Sequence, residues 1–440
     1  MFTPPRFVVI DDNQNHLDAI VTAIQSLGSV SARVHYTPEQ DVPKELFSAV
    51  RAIFIDLQLQ DRAASSDFNR HFAEIQRILG SVIQPTSGPY ILVVWTDKPE
   101  RVAELEIYLG KKFFVEKPYI KPIVIVPLSK TKYINDDTGE HTSGDLLQDI
   151  RMHLSSQPSM NALVQWEAEV FAATTRVLAD VTTLAANLSG DAPLPTLLKR
   201  LAAEAVGHAN VADDPRSSVQ ASLLPLLQDH LQNASDYGED WSRAFESAVE
   251  PPPPLSKTQV SMLNTKLHVT VHDEDRSMSA LGWGAVCELE PDLDWGEFGL
   301  ANENEFKEQV VRNNVQIDWI KYKDDLAVKQ IRIGAACDYA QKTSGPIPFA
   351  LVALLPERAG EKPHELKPKS TGWISPELNL GGGTVQLFVQ PRFVRIRGES
   401  VAVDFKAIAR IKEQLLLELV EAVGHHSSRP GIVRFQSRAS

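Results

Sequence analysis

Cysteine is scarce: Cys287 and Cys337 are the only two in 440 residues. Two thiols cannot build a disulfide framework or a cysteine zinc cage, and so low a count fits a reducing compartment. No apolar run approaches the roughly 20 residues needed to cross a bilayer. No charged-then-apolar leader opens the chain, so the expected location is the cytoplasm, away from any membrane. A basic block is missing as well, with 44 Lys and Arg against 57 Asp and Glu and a formal net charge of −13. The cationic footprint of a nucleic-acid binder is therefore lacking, which argues against DNA or RNA as the main ligand. No internal repeat is visible.

What is present has a clear order. The length exceeds what one core usually holds and implies two or three domains. Four short apolar runs rich in β-branched residues punctuate the first part: Arg6 to Ile10, Ala52 to Ile55, Tyr90 to Trp95 and Ile123 to Val126. They read as strands buried on both faces of a parallel sheet. Amphipathic segments lie between them. Leu17, Ile20, Val21, Ile24 and Leu27 share one helical face that Gly28 is placed to end. Phe68, Phe72, Ile75 and Leu79 mark a second helix. Leu146, Leu147, Ile150 and Leu154 mark a last one, with Ser143 as its cap. The fold class expected is α/β, a doubly wound flavodoxin-like domain over 1–157, followed by an α-helical module over 158–250. Pro251 to Pro254 cannot continue a helix and form a stiff spacer over 251–254. Residues 255–440 then read as a β-rich domain, a small barrel or sandwich, whose final helix covers Phe405 to Gly424.

Ligands of open α/β sheets bind beyond the carboxyl ends of the strands. Asp11 and Asp12 end the first apolar run, Asp56 the second and Thr96 the third, and Lys130 follows the fourth. Adjacent carboxylates repel unless something neutralises them, and hard oxygen donors suit Mg²⁺ or Ca²⁺. In its acidic pair, single Asp, Thr and Lys, each at a strand end, this part of the chain resembles the receiver domain of bacterial response regulators. The resemblance implies Mg²⁺ held by Asp12, Asp56 and the Gln58 carbonyl, with Asp11 reaching it through water. It further implies Asp56 as the nucleophile that becomes aspartyl phosphate, Lys130 as its cationic partner and Thr96 as the hydroxyl that meets the new phosphoryl group. Lys117, followed by a proline in "FFVEKPY", competes with Lys130 for the lysine role. No catalysis is expected beyond the receiver taking phosphate from a donor.

The remaining features are weaker. Cys337 and Asp338, after a strand, form a candidate nucleophile and orienting pair, but no histidine can be assigned as their base. Gly381 to Gly383 lack the lysine of a phosphate-binding loop and read as a hairpin or bulge. Trp166, Val170, Ala173 and Val177 form a helical stripe, either core or the seam of a homodimer. No DNA-binding helix-turn-helix is evident. The long stretch from Asp56 to Thr96 and the "WT" at the fourth receiver strand resemble receivers of phage-defence operons. That resemblance implies a histidine-kinase-like or Hsp90-like ATPase as partner and antiviral defence as the setting.

Overall fold

The computed structural model describes residues 4–427 apart from 39, 60–67, 134–144, 189, 209–210, 213, 234–238, 272–277, 336–344 and 359. The chain forms two compact units, Met1–Arg176 with Asp229–Glu250, and Val177–Gln228 with Pro251–Ser440.

The first unit is built on five strands: β1 (Phe7–Asp11), β2 (Ser31–His35), β3 (Ala52–Asp56), β4 (Ile91–Thr96) and β5 (Ile125–Ser129). All pair in parallel, in the order β2-β1-β3-β4-β5, which is the flavodoxin-like doubly wound order. Alternation along the strands sends Val8, Ile10, Ile53, Ile55 and Val94 to one face and Val9, Phe54, Val93 and Trp95 to the other. Helix α1 (Gln14–Ser26) and the helix Leu146–Ser155 cover the Val9 face, where Leu17, Ile20, Val21, Ile24 and Ile150 are buried. Helices α2 (Phe68–Val82) and α3 (Val102–Lys111) cover the other face through Phe72, Ile75, Leu79, Leu105 and Leu109. Each such side chain removed from water contributes about 1.5–3 kcal/mol, so both faces fix the sheet firmly.

Several boundaries differ from those expected. β2 is absent from the four apolar runs because "SARVH" is an edge strand with one buried residue. β5 starts two residues later than the run at Ile123, is only partly buried, and carries Pro127, which its edge position tolerates. Asp145 caps the helix Leu146–Ser155, its side chain accepting from the Gln148 N–H at 3.0 Å. Ser143 lies outside the described residues.

Between 158 and 250 the chain is helical: Pro158–Ala186, Pro193–Val206, Pro215–Gln232 and Glu239–Glu246. Three of these open on proline, whose missing N–H costs nothing at a helix start. In the first of them Ala173, Val177, Val181 and Ala185 are buried at spacings of four, whereas Trp166 is 54% exposed.

In the second unit an antiparallel sheet runs in the order 373–374, 383–397, 347–356, 327–332, 285–287, 407–411, 269–271, with 378–380 also on 383–397. The path is open, so among the described residues this is one sheet with a core on each face rather than a barrel or sandwich. The helix Glu413–Ser427 packs Leu415, Leu416 and Leu419 on one face, against Val286, Ile331 and Val389. The expected single helix from Phe405 is thus overturned in its first third: Ala407–Ile411 is a strand, with Ala407, Ala409 and Ile411 buried in alternation. Gly424 lies inside the final helix and does not end it. Gly381 and Gly382 join two paired strands with φ of 63° and 83°, as a type I′ hairpin turn requires.

Candidate functional site

Because all five strands of the first unit point the same way, their carboxyl ends share one edge. Register places Ile10 opposite Ile55, Asp56 opposite Trp95 and Thr96 opposite Ser129, the residue before Lys130. The strand ends are polar for a local reason as well. Asp11 Oδ1 accepts the Asn13 N–H at 2.8 Å, and the Asn13 side chain in turn accepts from Asn15 N–H at 2.9 Å and caps α1. Asp56 Oδ1 accepts the Gln58 N–H at 3.1 Å. Thr96 Oγ1 accepts the Lys98 N–H at 3.0 Å.

Asp11, Asp12 and Asp56 meet there, offering carboxylate oxygens that all lie within 4.8 Å of one another. Asp11 and Asp56 are buried and Asp12 is open to solvent. Lys130 is 1% exposed, with Nζ 2.7 Å from Asp56 Oδ2 and 3.2 Å from Asp11 Oδ2. Lys117, the competing lysine, ends a helical turn and is exposed. Thr96 is fully buried at the same rim.

One ammonium faces three carboxylates, and the imbalance is visible in their titration. Asp12 is pushed up to about 6 by desolvation in the cleft and by the charges of Asp56 and Asp11. Burial raises Asp56 as well, with Lys130 and the Gln58 amide opposing it and Asp11 adding to it. Burial also works against a charge on Asp11, yet His16, Lys130 and the Asn13 amide together hold its carboxyl below the ordinary range. A clustered all-oxygen donor set with excess negative charge is what a hard divalent cation requires, so the residues fit Mg²⁺.

Two residues at the rim escape a sequence reading. His16, 3% exposed in the first turn of α1, has Nδ1 3.1 Å from Lys130 Nζ. His35, at the end of β2, brings Nε2 2.9 Å from the Asp12 carbonyl. Their only signal in the sequence is a lone histidine beside an apolar stripe and another at the end of a weak strand.

Cys337 and Asp338 lie outside the described residues, as do residues 60–67. Cys287 is buried, and burial pushes its thiol up to about 12, away from reactivity. His425 sits on the exposed end of the last helix.

The fold and this rim together define a flavodoxin-like α/β unit with an acidic cluster and a buried lysine at its ligand-binding edge. No protein-family model matches the chain, and no curated protein matches it. Among solved structures, the crystal structure of full-length FixJ from B. japonicum aligns at 14% identity over 52% of this chain and 97% of that one, with a TM-score of 0.19. At so low a score the likeness carries no weight, and the fold and site rest on the geometry above. Among the described residues no helix is long and apolar enough to cross a membrane.

Proposed function

We propose that the chain is a cytoplasmic, response-regulator-like signalling protein whose first unit accepts a phosphoryl group on Asp56, with Mg²⁺, and so controls the β-rich C-terminal region. Support comes chiefly from Lys130, an almost fully buried lysine poised between Asp56 and Asp11 beside a third carboxylate. A structural ion pair needs one carboxylate per lysine, and burying a second beside the same lysine, with a third at the rim, would cost several kcal/mol with no compensation. An acceptor site needs that surplus.

A bound divalent cation supplies charge neutralisation between an anionic donor and an anionic acceptor. Asp11, Asp12, Asp56 and the Gln58 carbonyl would hold it. The rest belongs to the side chains. An Asp56 carboxylate oxygen attacks the donor phosphorus in line, a new O–P bond forms, and the bond to the leaving group breaks with its electron pair. Lys130 places its positive charge against the incoming phosphoryl oxygens. The Thr96 hydroxyl turns to donate to the phosphoryl group, and its movement carries the change outward. A histidine-kinase-like or Hsp90-like ATPase is the partner in this reading, phage defence its setting, and the helical span a place where two copies of the chain meet.

The test is incubation of the full chain with Mg²⁺ and either acetyl phosphate or beryllofluoride. Wild type gains acid-labile phosphate and Asp56→Asn gains none. Wild type that takes no phosphate and shows no Asp56-dependent change in hydrogen exchange overturns the proposal.

A further inference from the structure

The helix Lys257–His268 faces the wrong way for a helix that only closes a core. Its capping box, Ser256 with Gln259, starts it directly after the proline spacer. From there Lys257, Ser261, Asn264 and Thr265 share one face, and that polar face is the inward one, with Ser261 and Thr265 buried. Hydrogen bonds hold it. Lys257 Nζ donates to the Glu361 carbonyl at 2.7 Å, Asn264 Nδ2 to the Glu377 carbonyl at 2.9 Å, and Thr265 Oγ1 accepts the Asn379 N–H at 2.6 Å. The apolar residues point outward instead: Met262, Leu263 and Leu267 are 54%, 50% and 66% exposed. A helix that merely covers a sheet turns its apolar stripe to the core. Single exposed apolar side chains are ordinary, but a stripe of them marks an interaction surface. Its charge is also unusual. No Asp or Glu occurs between Leu255 and Val271, in a chain with a net charge of −13, and Lys266 stands exposed between Leu263 and Leu267. Such a stripe is complementary to an apolar surface with negative flanks.

The same chain carries one. No residue of the helix Glu239–Glu246 is buried. Trp241 and Phe245, one turn apart, pack ring against ring at 6.3 Å, and Phe245 and Val249 are 70% and 73% exposed. Glu239, Asp240, Glu246 and Glu250 surround that stripe, against one cation, Arg243, which Glu239 already holds at 2.7 Å.

We propose that the acidic, aromatic stripe of the helix Glu239–Glu246 in one copy docks on the acid-free stripe of the helix Lys257–His268 in a second copy. Each copy carries both stripes, so a two-fold pair makes the contact twice and closes on itself, leaving no open surface for a third copy. Trp241, Phe245 and Val249 against Met262, Leu263 and Leu267 form the dry centre of each contact, and the carboxylates gather at its edge with Lys266. The inference rests on the reading that two copies meet through the helical span, for which it names the surfaces, and it draws nothing from the acceptor site.

The experiment is sedimentation velocity of the full chain over a range of concentrations, with no phosphodonor present. Wild type should pair reversibly. The dissociation constant should rise about tenfold or more in Phe245→Ser and in the double substitution Leu263→Ser with Leu267→Ser, and about threefold in Lys266→Glu. These positions are exposed, so circular dichroism should stay as in wild type. Cross-linking provides a second measurement that needs no truncated stripe. In a Cys337→Ser background, chains with Phe245→Cys and chains with Leu267→Cys are mixed under a mild thiol oxidant. The mixture should give cross-linked pairs, and neither chain alone should. Wild type that stays monomeric at every concentration overturns the proposal together with the reading that two copies meet. A pair that forms but ignores Phe245→Ser, the leucine substitutions or Lys266→Glu overturns the assigned surfaces alone. Cross-links from either single-site chain by itself do the same, because like stripes would then be meeting.

Discussion

At the scale of single residues the molecule concentrates its unusual chemistry in one place. Lys130 neutralises buried carboxylates, and removing it strands them. Lys130→Met should therefore destabilise the first unit by about 3 kcal/mol, the usual cost of breaking a buried ion pair from one side. Urea unfolding with chelator present measures the loss, and Mg²⁺ should restore part of it. Asp12 gives the opposite sign. Its carboxyl titrates near 6 in the folded chain against an ordinary 3.8, so the folded state binds that proton more tightly than the unfolded one. The penalty is complete above about pH 6 and is relieved as pH falls toward 4. Without divalent ions the chain should be more stable at about pH 5 than at about pH 7. The gain is on the order of 1 kcal/mol or less, because Asp12 is open to solvent. Asp12→Asn should flatten the slope across that window, as read from urea midpoints at the two pH values.

Elements are where the sequence was legible and where it was not. Strand ends were readable because polar residues follow uniformly apolar runs, and that pattern alone puts Asp11, Asp56 and Thr96 on one edge. β2 was hidden because an edge strand needs only one buried side chain, and "SARVH" supplies only Val34. Ala407–Ile411 was hidden because alanine and isoleucine satisfy both periods, and only pairing with Val269–Val271 and Ala285–Cys287 decides for a strand. His16 was hidden because its meaning depends on Lys130, 114 positions away. The same strand leads to a prediction at this scale. Gly284 has φ of 78°, and an added Cβ would sit 2.5 Å from the Ile411 carbonyl oxygen and 2.9 Å from Leu416 Cδ2. Gly381 has φ of 63° with open space around it. Gly381→Ala should cost about 1 kcal/mol, the conformational price alone. Gly284→Ala should cost about 3 kcal/mol or more, since a backbone clash is added at the seam between the strand and the last helix. Comparing the two urea midpoints separates conformational strain from collision.

At the scale of the whole chain, two compact units with separate cores carry a net charge of −13, and the acidic cluster that fits a cation belongs to one of them. A ligand that binds only the folded form of one unit stabilises that unit by mass action and leaves an independent neighbour where it was. At a Mg²⁺ concentration about ten times the dissociation constant, the gain is about 1.4 kcal/mol. Calorimetry of the full chain should therefore resolve two transitions, only one of which rises with Mg²⁺. Asp56→Asn should blunt that response while leaving the other transition unchanged. Beryllofluoride with Mg²⁺, which mimics the phosphorylated carboxylate, gives the sharper reading of control. If acceptor chemistry in the first unit governs the β-rich region, the second transition must move when beryllofluoride is added to wild type and stay fixed in Asp56→Asn. A second transition indifferent to beryllofluoride would mean that the acceptor site acts without altering the stability of the sheet it is proposed to control.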